Sequence, residues 1–315
     1  MKFLAALLVV LNARLALSSC GHGTVLHPRA AAGEAVELPN FGYGADNGPT
    51  NWHGLSADNV LCAAGTNQSP INIDSTIPTE QPGFITMNVA VQDVVFENLG
   101  TNVEVVLTGE STIGGRQFAL EQFHFHSPSE HLVNGEHFAA EVHLVHVAKD
   151  SPEEILVVAM LIEASGTSSV DSFDTLMSNI NRIPTPGQTT TVPALDISQL
   201  ATVANTIPFF NYKGSLTTPP CTEGVTFLVS TKTLPLGVDN FNLLKNVVKG
   251  NARFVQRGIP ATENVLVSSF RSLPLKVRQE SAANASVATT SATERDTVAE
   301  AVAAARLRRL TPFHS

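Results

Sequence analysis

The chain has 315 residues, of which 43% are hydrophobic, and a formal net charge of −9. That length admits two average domains, but a β-rich unit of about 200 to 250 residues can be a single domain, and we read one domain with tails. The acidic balance and the lack of a basic stripe in the central region argue against a nucleic-acid partner.

Met1-Lys2 leads into a short apolar run ending at Asn12 and Arg14, with small residues Ala16, Ser18 and Ser19 to suit a signal peptidase. Residues 1–19 are therefore expected to be a signal peptide, too short in its apolar part for a membrane span, and the mature protein to be secreted. Leu17-Ser18-Ser19-Cys20 also resembles a bacterial lipobox, so a periplasmic or lipid-anchored protein is the alternative. Residues 20–40 show no periodicity and read as a leader. Three cysteines leave one over if two bond, and Cys20 is then lost with the signal or available to link a dimer. The expected state is a monomer or that dimer. Asn67-Gln68-Ser69 and Asn284-Ala285-Ser286 are N-glycosylation sequons in a eukaryotic host.

Residues 89–107 alternate and are rich in Val, with Asn98-Leu99-Gly100 as a turn, and read as a β-hairpin. Residues 117–126 and 138–148 read as two further strands, with Asn134-Gly135 as the turn signal between them. In Gln122-Phe123-His124-Phe125-His126 the two histidines stand at i and i+2 of a strand and point to one face, while Phe123 and Phe125 point to the other. A third imidazole from a neighbouring strand, His143 in Ala140-Glu141-Val142-His143-Leu144-Val145-His146, would give three neutral ligands and leave one tetrahedral position for water. That is the pattern of a catalytic zinc. A lone histidine on such a strand is ordinarily a core residue, but six of the ten in the chain fall between positions 124 and 146. Glu130 and Glu141 lie in the same stretch, as carboxylates able to orient ligand imidazoles.

Further on, residues 156–162 form an unbroken apolar run and read as a central strand buried on both faces, and 172–180 read as a short helix. Residues 187–191 read as a Pro/Gly/Thr loop, 196–203 as a helical turn, 225–230 as a strand and 241–249 as an amphipathic helix. From position 279 Ser, Ala and Thr dominate, and 279–315 read as a mobile tail. Within it, 293–310 suit an Ala-rich helix whose arginines favour its carboxyl end, with Arg308-Arg309 as a processing signal on the sharper reading.

Several of these segments together resemble the α-class carbonic anhydrases. The resemblance is carried by Phe123-His124-Phe125-His126, Ser127-Pro128-Ser129-Glu130-His131, the His143 segment and Gly214-Ser215-Leu216-Thr217-Thr218-Pro219-Pro220-Cys221. Gln68-Ser69-Pro70-Ile71-Asn72-Ile73, Tyr43-Gly44, Asn47-Gly48-Pro49 and Asn51-Trp52 extend it toward the amino terminus, so that the domain runs from 41 to 278. The resemblance implies a mainly β, α+β domain around one large central, mostly antiparallel twisted sheet carrying the zinc site. It implies reversible hydration of CO2 to bicarbonate and a proton by hydroxide on zinc.

The same resemblance implies the roles. His124, His126 and His143 are the zinc ligands, with Gln122 accepting from His124 and Glu141 from His143. Thr217 orients the hydroxide and donates to Glu130; Thr218, Val145, Val158, Leu216 and Val225 hold the substrate; Tyr43 and Thr101 line the cavity. Arg271 supports the Thr-Pro-Pro loop, Phe227 stands for a usual tryptophan, and Cys62 bonds Cys221. Thr101 stands where relatives carry a proton-shuttle histidine, so slow proton export is expected. His131 and His146 are expected to serve structure through hydrogen bonds. The competing readings are a catalytically silent binding module, which would have lost a zinc histidine, and a zinc esterase as a side activity.

Overall fold

The computed structural model describes residues 21–22 and 36–256. The signal peptide, Cys20, Arg271, Asn284 and the 279–315 tail therefore lie outside the described residues. The strands are β1 (Asn72–Ile73), β2 (Thr79–Glu80), β3 (Ile85–Asn88), β4 (Gln92–Asn98), β5 (Val103–Ile113), β6 (Arg116–His126) and β7 (Leu132–Val133). They continue as β8 (Ala140–Ala148), β9 (Ser151–Ser165), β10 (Thr189–Leu195), β11 (Phe209–Ser215), β12 (Glu223–Ser230) and β13 (Leu234–Gly237). Short helices α1 (Trp52–Leu55), α2 (Leu61–Ala64), α3 (Asp171–Asn179), α4 (Ser198–Thr206) and α5 (Val238–Val248) surround them. Eleven strands form one sheet in the order β10-β4-β5-β6-β8-β9-β12-β11-β2, with β13 beside β9 and β3 beside β5. All its pairings are antiparallel except β12 and β13 on β9. The molecule is thus the mainly β single domain the sequence implied.

The β4–β5 turn is closed by Leu99 N–H on the Asn102 carbonyl at 3.0 Å, with Gly100 at φ +77°, a left-handed conformation that a Cβ would strain. Residues 187–191, read as a loop, instead run into β10, whose Thr189–Val192 segment pairs with β4. Polar Thr residues are tolerated there because β10 closes the sheet's edge. Strand β11 carried no signal strong enough to be read from sequence.

The sheet separates two apolar clusters. One holds Phe118, Leu120, Phe123, Phe125, Leu144, Val158 and Met160 with the helices α3 to α5. The other holds Val145, Val157, Tyr212, Leu216, Val225 and Phe227. The alternation along β6 changes phase, because the register against β8 shifts between Leu120 and Gln122. One extra residue at that bulge lets Phe118 and Leu120 share a face with Phe123 and Phe125 and turns Gln122, His124 and His126 to the opposite face.

Gly214 illustrates how tightly the second face is built. A Cβ there would lie 2.1 Å from Ser69 Oγ and 2.8 Å from the Tyr212 ring. Gly214→Ala is therefore expected to cost about 1–3 kcal/mol of stability through overpacking. Chemical denaturation would check it, and an unchanged midpoint would contradict the close approach.

Candidate metal centre

The register of β6 against β8 places His124 directly opposite His143 and His126 opposite Glu141. The ring centroids lie 5.1 Å apart for His124 and His126, 5.3 Å for His124 and His143, and 4.6 Å for His126 and His143. One ring nitrogen from each of the three comes within 4.8 Å of the others, and all three residues are fully buried.

Each ring is fixed from behind. His124 Nδ1 meets Gln122 Oε1 at 2.7 Å, His126 Nδ1 the Asn251 carbonyl at 2.9 Å, and His143 Nε2 Glu141 Oε1 at 2.7 Å. Since these oxygens only accept, the facing nitrogens carry hydrogen and the other nitrogens are left as lone-pair donors. His126 Nε2 and His143 Nδ1 are buried with no hydrogen-bond partner among the described residues. Burial, the largest cause, lowers the pKa of His126 to about 4, lowers that of His143 and holds His124 well below the usual imidazole range. Three neutral imidazoles whose lone pairs converge fit a divalent cation such as zinc, whose ligands must be deprotonated.

Glu141 receives four donors. His131 Nδ1 at 2.6 Å and His143 Nε2 at 2.7 Å reach Oε1, and the Glu130 and His131 amides at 2.9 and 2.8 Å reach Oε2. Burial pushes this carboxyl up, but His131 and His143 with their hydrogen bonds outweigh it and hold it well below the usual carboxylate range. His131 also meets the Tyr212 hydroxyl at 2.7 Å, and that hydroxyl donates to Ser69 Oγ at 2.8 Å. The brace behind His143 thus extends into the Gln68-Ser69-Pro70 segment. Phe227 stacks on Tyr212 at 5.3 Å and lies 5.8 Å from the His143 ring.

Glu130 accepts from the Arg253 amide at 2.8 Å and is hydrogen-bonded to the Thr217 side chain. Its Oε2 lies 3.5 Å from His126 Nε2. Burial raises its pKa to about 7 against the opposing pull of His143, the Arg253 amide and Thr217. A cation held by the histidines would favour the ionised form. Thr217 and Thr218 are both fully buried.

The structure also corrects the sequence reading. Val158 faces the helix-side cluster, and Val157 instead joins Val145, Leu216 and Val225. In an unbroken apolar strand nothing in the residue pattern marks which face is which, and Val157 opposite Val145 settles it. Arg253 went unread in the sequence: its guanidinium donates to Gln68 Oε1, the Ser69 carbonyl and the Cys62 carbonyl at 2.9, 2.8 and 3.2 Å. Gln68 in turn donates to the Cys221 carbonyl at 3.0 Å. Asn251 was also missed; besides receiving His126 it bonds the Ser127 amide and the carbonyls of Thr101 and Phe125. Cys62 and Cys221 form a disulfide. Tyr43 packs edge-on against Trp52 at 5.6 Å. The Asn67 amide donates to Glu223, and Ser69 of that sequon is buried. His146 bonds Ser111 Oγ and the Leu144 carbonyl, away from the histidine triad.

The model of the eukaryotic-type carbonic anhydrases matches residues 47–279. The fungal α-carbonic anhydrase from Aspergillus oryzae aligns at 40% identity and a TM-score of 0.70, covering 74% of this chain and 99% of that one. The α-carbonic anhydrase from Thermovibrio ammonificans, solved with sulfanilamide, aligns at 30% identity and a TM-score of 0.62, covering 71% and 96%. A carbonic anhydrase from Neisseria gonorrhoeae is 36% identical over 225 residues, covering 70% of this chain and 80% of that protein. With a histidine triad suited to a metal on a shared fold, the chain belongs to the α-class carbonic anhydrase family.

Proposed function

We propose that the chain is a zinc-dependent carbonate dehydratase that interconverts CO2 and bicarbonate. The observation that carries this reading is the convergence of three neutral, individually braced imidazoles beside the Glu130–Thr217 pair. Zinc held by His124, His126 and His143 would supply a water acidified to a pKa of about 7. Thr217, donating its hydroxyl hydrogen to the carboxylate of Glu130, keeps its oxygen as an acceptor, so it selects one orientation of the nucleophile. Glu130 is itself held in place by the Arg253 amide. Val145, Val157, Leu216 and Val225 form an apolar cluster suited to hold CO2, a molecule with no hydrogen to donate. Thr218, buried and next to Thr217 in the chain, is the residue to which contact with the product oxygens is assigned.

Export of the protein is part of the same proposal, supported by the N-terminal sequence pattern and by a disulfide of the kind that persists in oxidising compartments. No helix among the described residues is long and apolar enough to cross a membrane.

Stopped-flow CO2 hydration by zinc-loaded protein tests the proposal. Thr217→Val is expected to lower kcat/KM by roughly 100-fold with zinc retained, in the range typical for removal of a positioned proton-transfer partner. Hydration by the variant at the full rate would overturn the role given to Thr217, and an inactive zinc-loaded parent would overturn the function.

A further inference from the structure

The sheet face that carries the histidine triad also carries two carboxylates that the hydration chemistry does not use. Glu104 on β5 is the register partner of His124 on β6, and Glu97 on β4 is the register partner of Glu104. Directly opposed residues of an antiparallel pair stand side by side on one face. Val103, Val105 and Phe96, the chain neighbours of Glu104 and Glu97, belong to the helix-side cluster, so both carboxylates point the way the triad points. Glu104 is nevertheless fully buried and Glu97 only 5% exposed. A wall of the metal centre built from carboxylates and closed to solvent needs a cover from outside the sheet.

His22 supplies cover there. Its segment reads from sequence as a patternless leader, yet the residue is itself only 6% exposed and its Nδ1 lies 2.9 Å from Glu104 Oε1. Atoms of His22, Glu97 and Glu104 lie within 4.8 Å of one another, and His22 stands close enough to His124 for its charge to act on that ring. The imidazole therefore rests on the carboxylate wall, beside the triad and on the triad's side of the sheet. Opposite it the centre is bounded by the apolar cluster of Val145, Val157, Leu216 and Val225 and by the buried Thr217 and Thr218. A ligand too wide for the space between must displace the ring and break its buried hydrogen bond.

We propose that His22 is a specificity-determining residue: seated on Glu104, its ring narrows the approach to the metal centre, so that CO2 and bicarbonate reach it while aromatic ligands and esters are held back. CO2 is linear and triatomic, and bicarbonate is little wider. An aryl ester or arylsulfonamide must bring a planar six-membered ring into the space that the imidazole takes up. Selection of this kind works against the wrong ligand and adds no contact to the right one, and a single steric misfit in a pocket is worth about 10- to 200-fold. His22 takes no part in the chemistry. The inference rests on the dehydratase reading above for the identity of the centre and deepens it, since the same hydroxide could otherwise attack esters.

The test compares the zinc-loaded, naturally processed protein with its His22→Ala variant. Calorimetric titrations with sulfanilamide, the ligand of the Thermovibrio ammonificans structure, and with azide are set beside hydrolysis of 4-nitrophenyl acetate and hydration of CO2, with zinc content and the mature amino terminus measured alongside. The variant is expected to bind sulfanilamide at least about tenfold more tightly and to raise kcat/KM for the ester by a similar factor. Azide, linear and as small as CO2, should bind both proteins alike, and kcat/KM for CO2 should not change. Equal sulfanilamide affinities in parent and variant overturn the inference, as does a mature chain that begins after His22. A gain for azide as large as that for sulfanilamide, or loss of zinc from the variant, would mean that the centre itself had changed. A second zinc per chain that disappears with His22 would assign the cluster with Glu97 and Glu104 to a cation; each of these results overturns the steric role. A zinc-loaded parent that hydrates no CO2 overturns the dehydratase reading, and the two affinities then decide the role of His22 separately.

Discussion

His124→Ala is expected to strip most of the zinc and abolish CO2 hydration. Removing one of three imidazoles leaves His126 and His143 with two open positions to be filled by water. The affinity of a first-row metal for a nitrogen site depends on that ligand count. Gln122→Ala provides the graded comparison. It removes only the acceptor 2.7 Å from His124 Nδ1, and loss of such an outer partner typically costs 10- to 100-fold in metal affinity or activity. The direct ligand should therefore cost far more than its support. Equilibrium dialysis against zinc with parallel hydration assays gives both numbers, and an order reversed between the two variants would mean the ligand assignment is wrong.

The parts of this centre legible in sequence are those whose spacing is local. His124 and His126 declare one face of a strand by standing two apart, whereas the bracing role of Gln122 was implied by the family resemblance. His143 became legible because an alternating strand follows one turn later. What stayed hidden depends on long-range register. Asn251 receives His126 across a separation of 125 residues, and the Arg253 amide reaches Glu130 across 123, through a loop whose sequence carries no periodicity. Val157 and Val158 could not be told apart because apolar neighbours on both sides erase the alternation that marks a face. The bulge on β6 was equally silent: it is a property of two strands paired together, and neither shows it alone.

Loss of the Cys62–Cys221 disulfide is expected to destabilise the protein by about 3–5 kcal/mol. The bond joins residues 159 apart in sequence. In the chain-entropy account a loop of that length restrains the denatured ensemble by about 5 kcal/mol at 25 °C, and the usual measured range runs somewhat lower. At about 2–4 °C per kcal/mol for a domain of this size, the double variant Cys62→Ser, Cys221→Ser should melt roughly 10–15 °C below the parent. The native state contributes a second reason for the loss. Cys221 is held at φ +60°, a left-handed conformation uncommon for a residue with a Cβ, at the end of the Thr217-Thr218-Pro219-Pro220 loop. Trp52 and Phe41 cover the bond, and Arg253 and Gln68 tie the Cys62 and Cys221 carbonyls into the segment that braces Glu130. The bond therefore anchors the loop that carries Thr217, and the double variant should lose turnover before it loses zinc, since none of the three histidines touches it. Calorimetry of parent and variant, with zinc content measured below the melting temperature, separates these effects. A melting shift under about 2 °C would be too small for either account, and zinc loss in step with activity would place the coupling at the metal rather than at the loop.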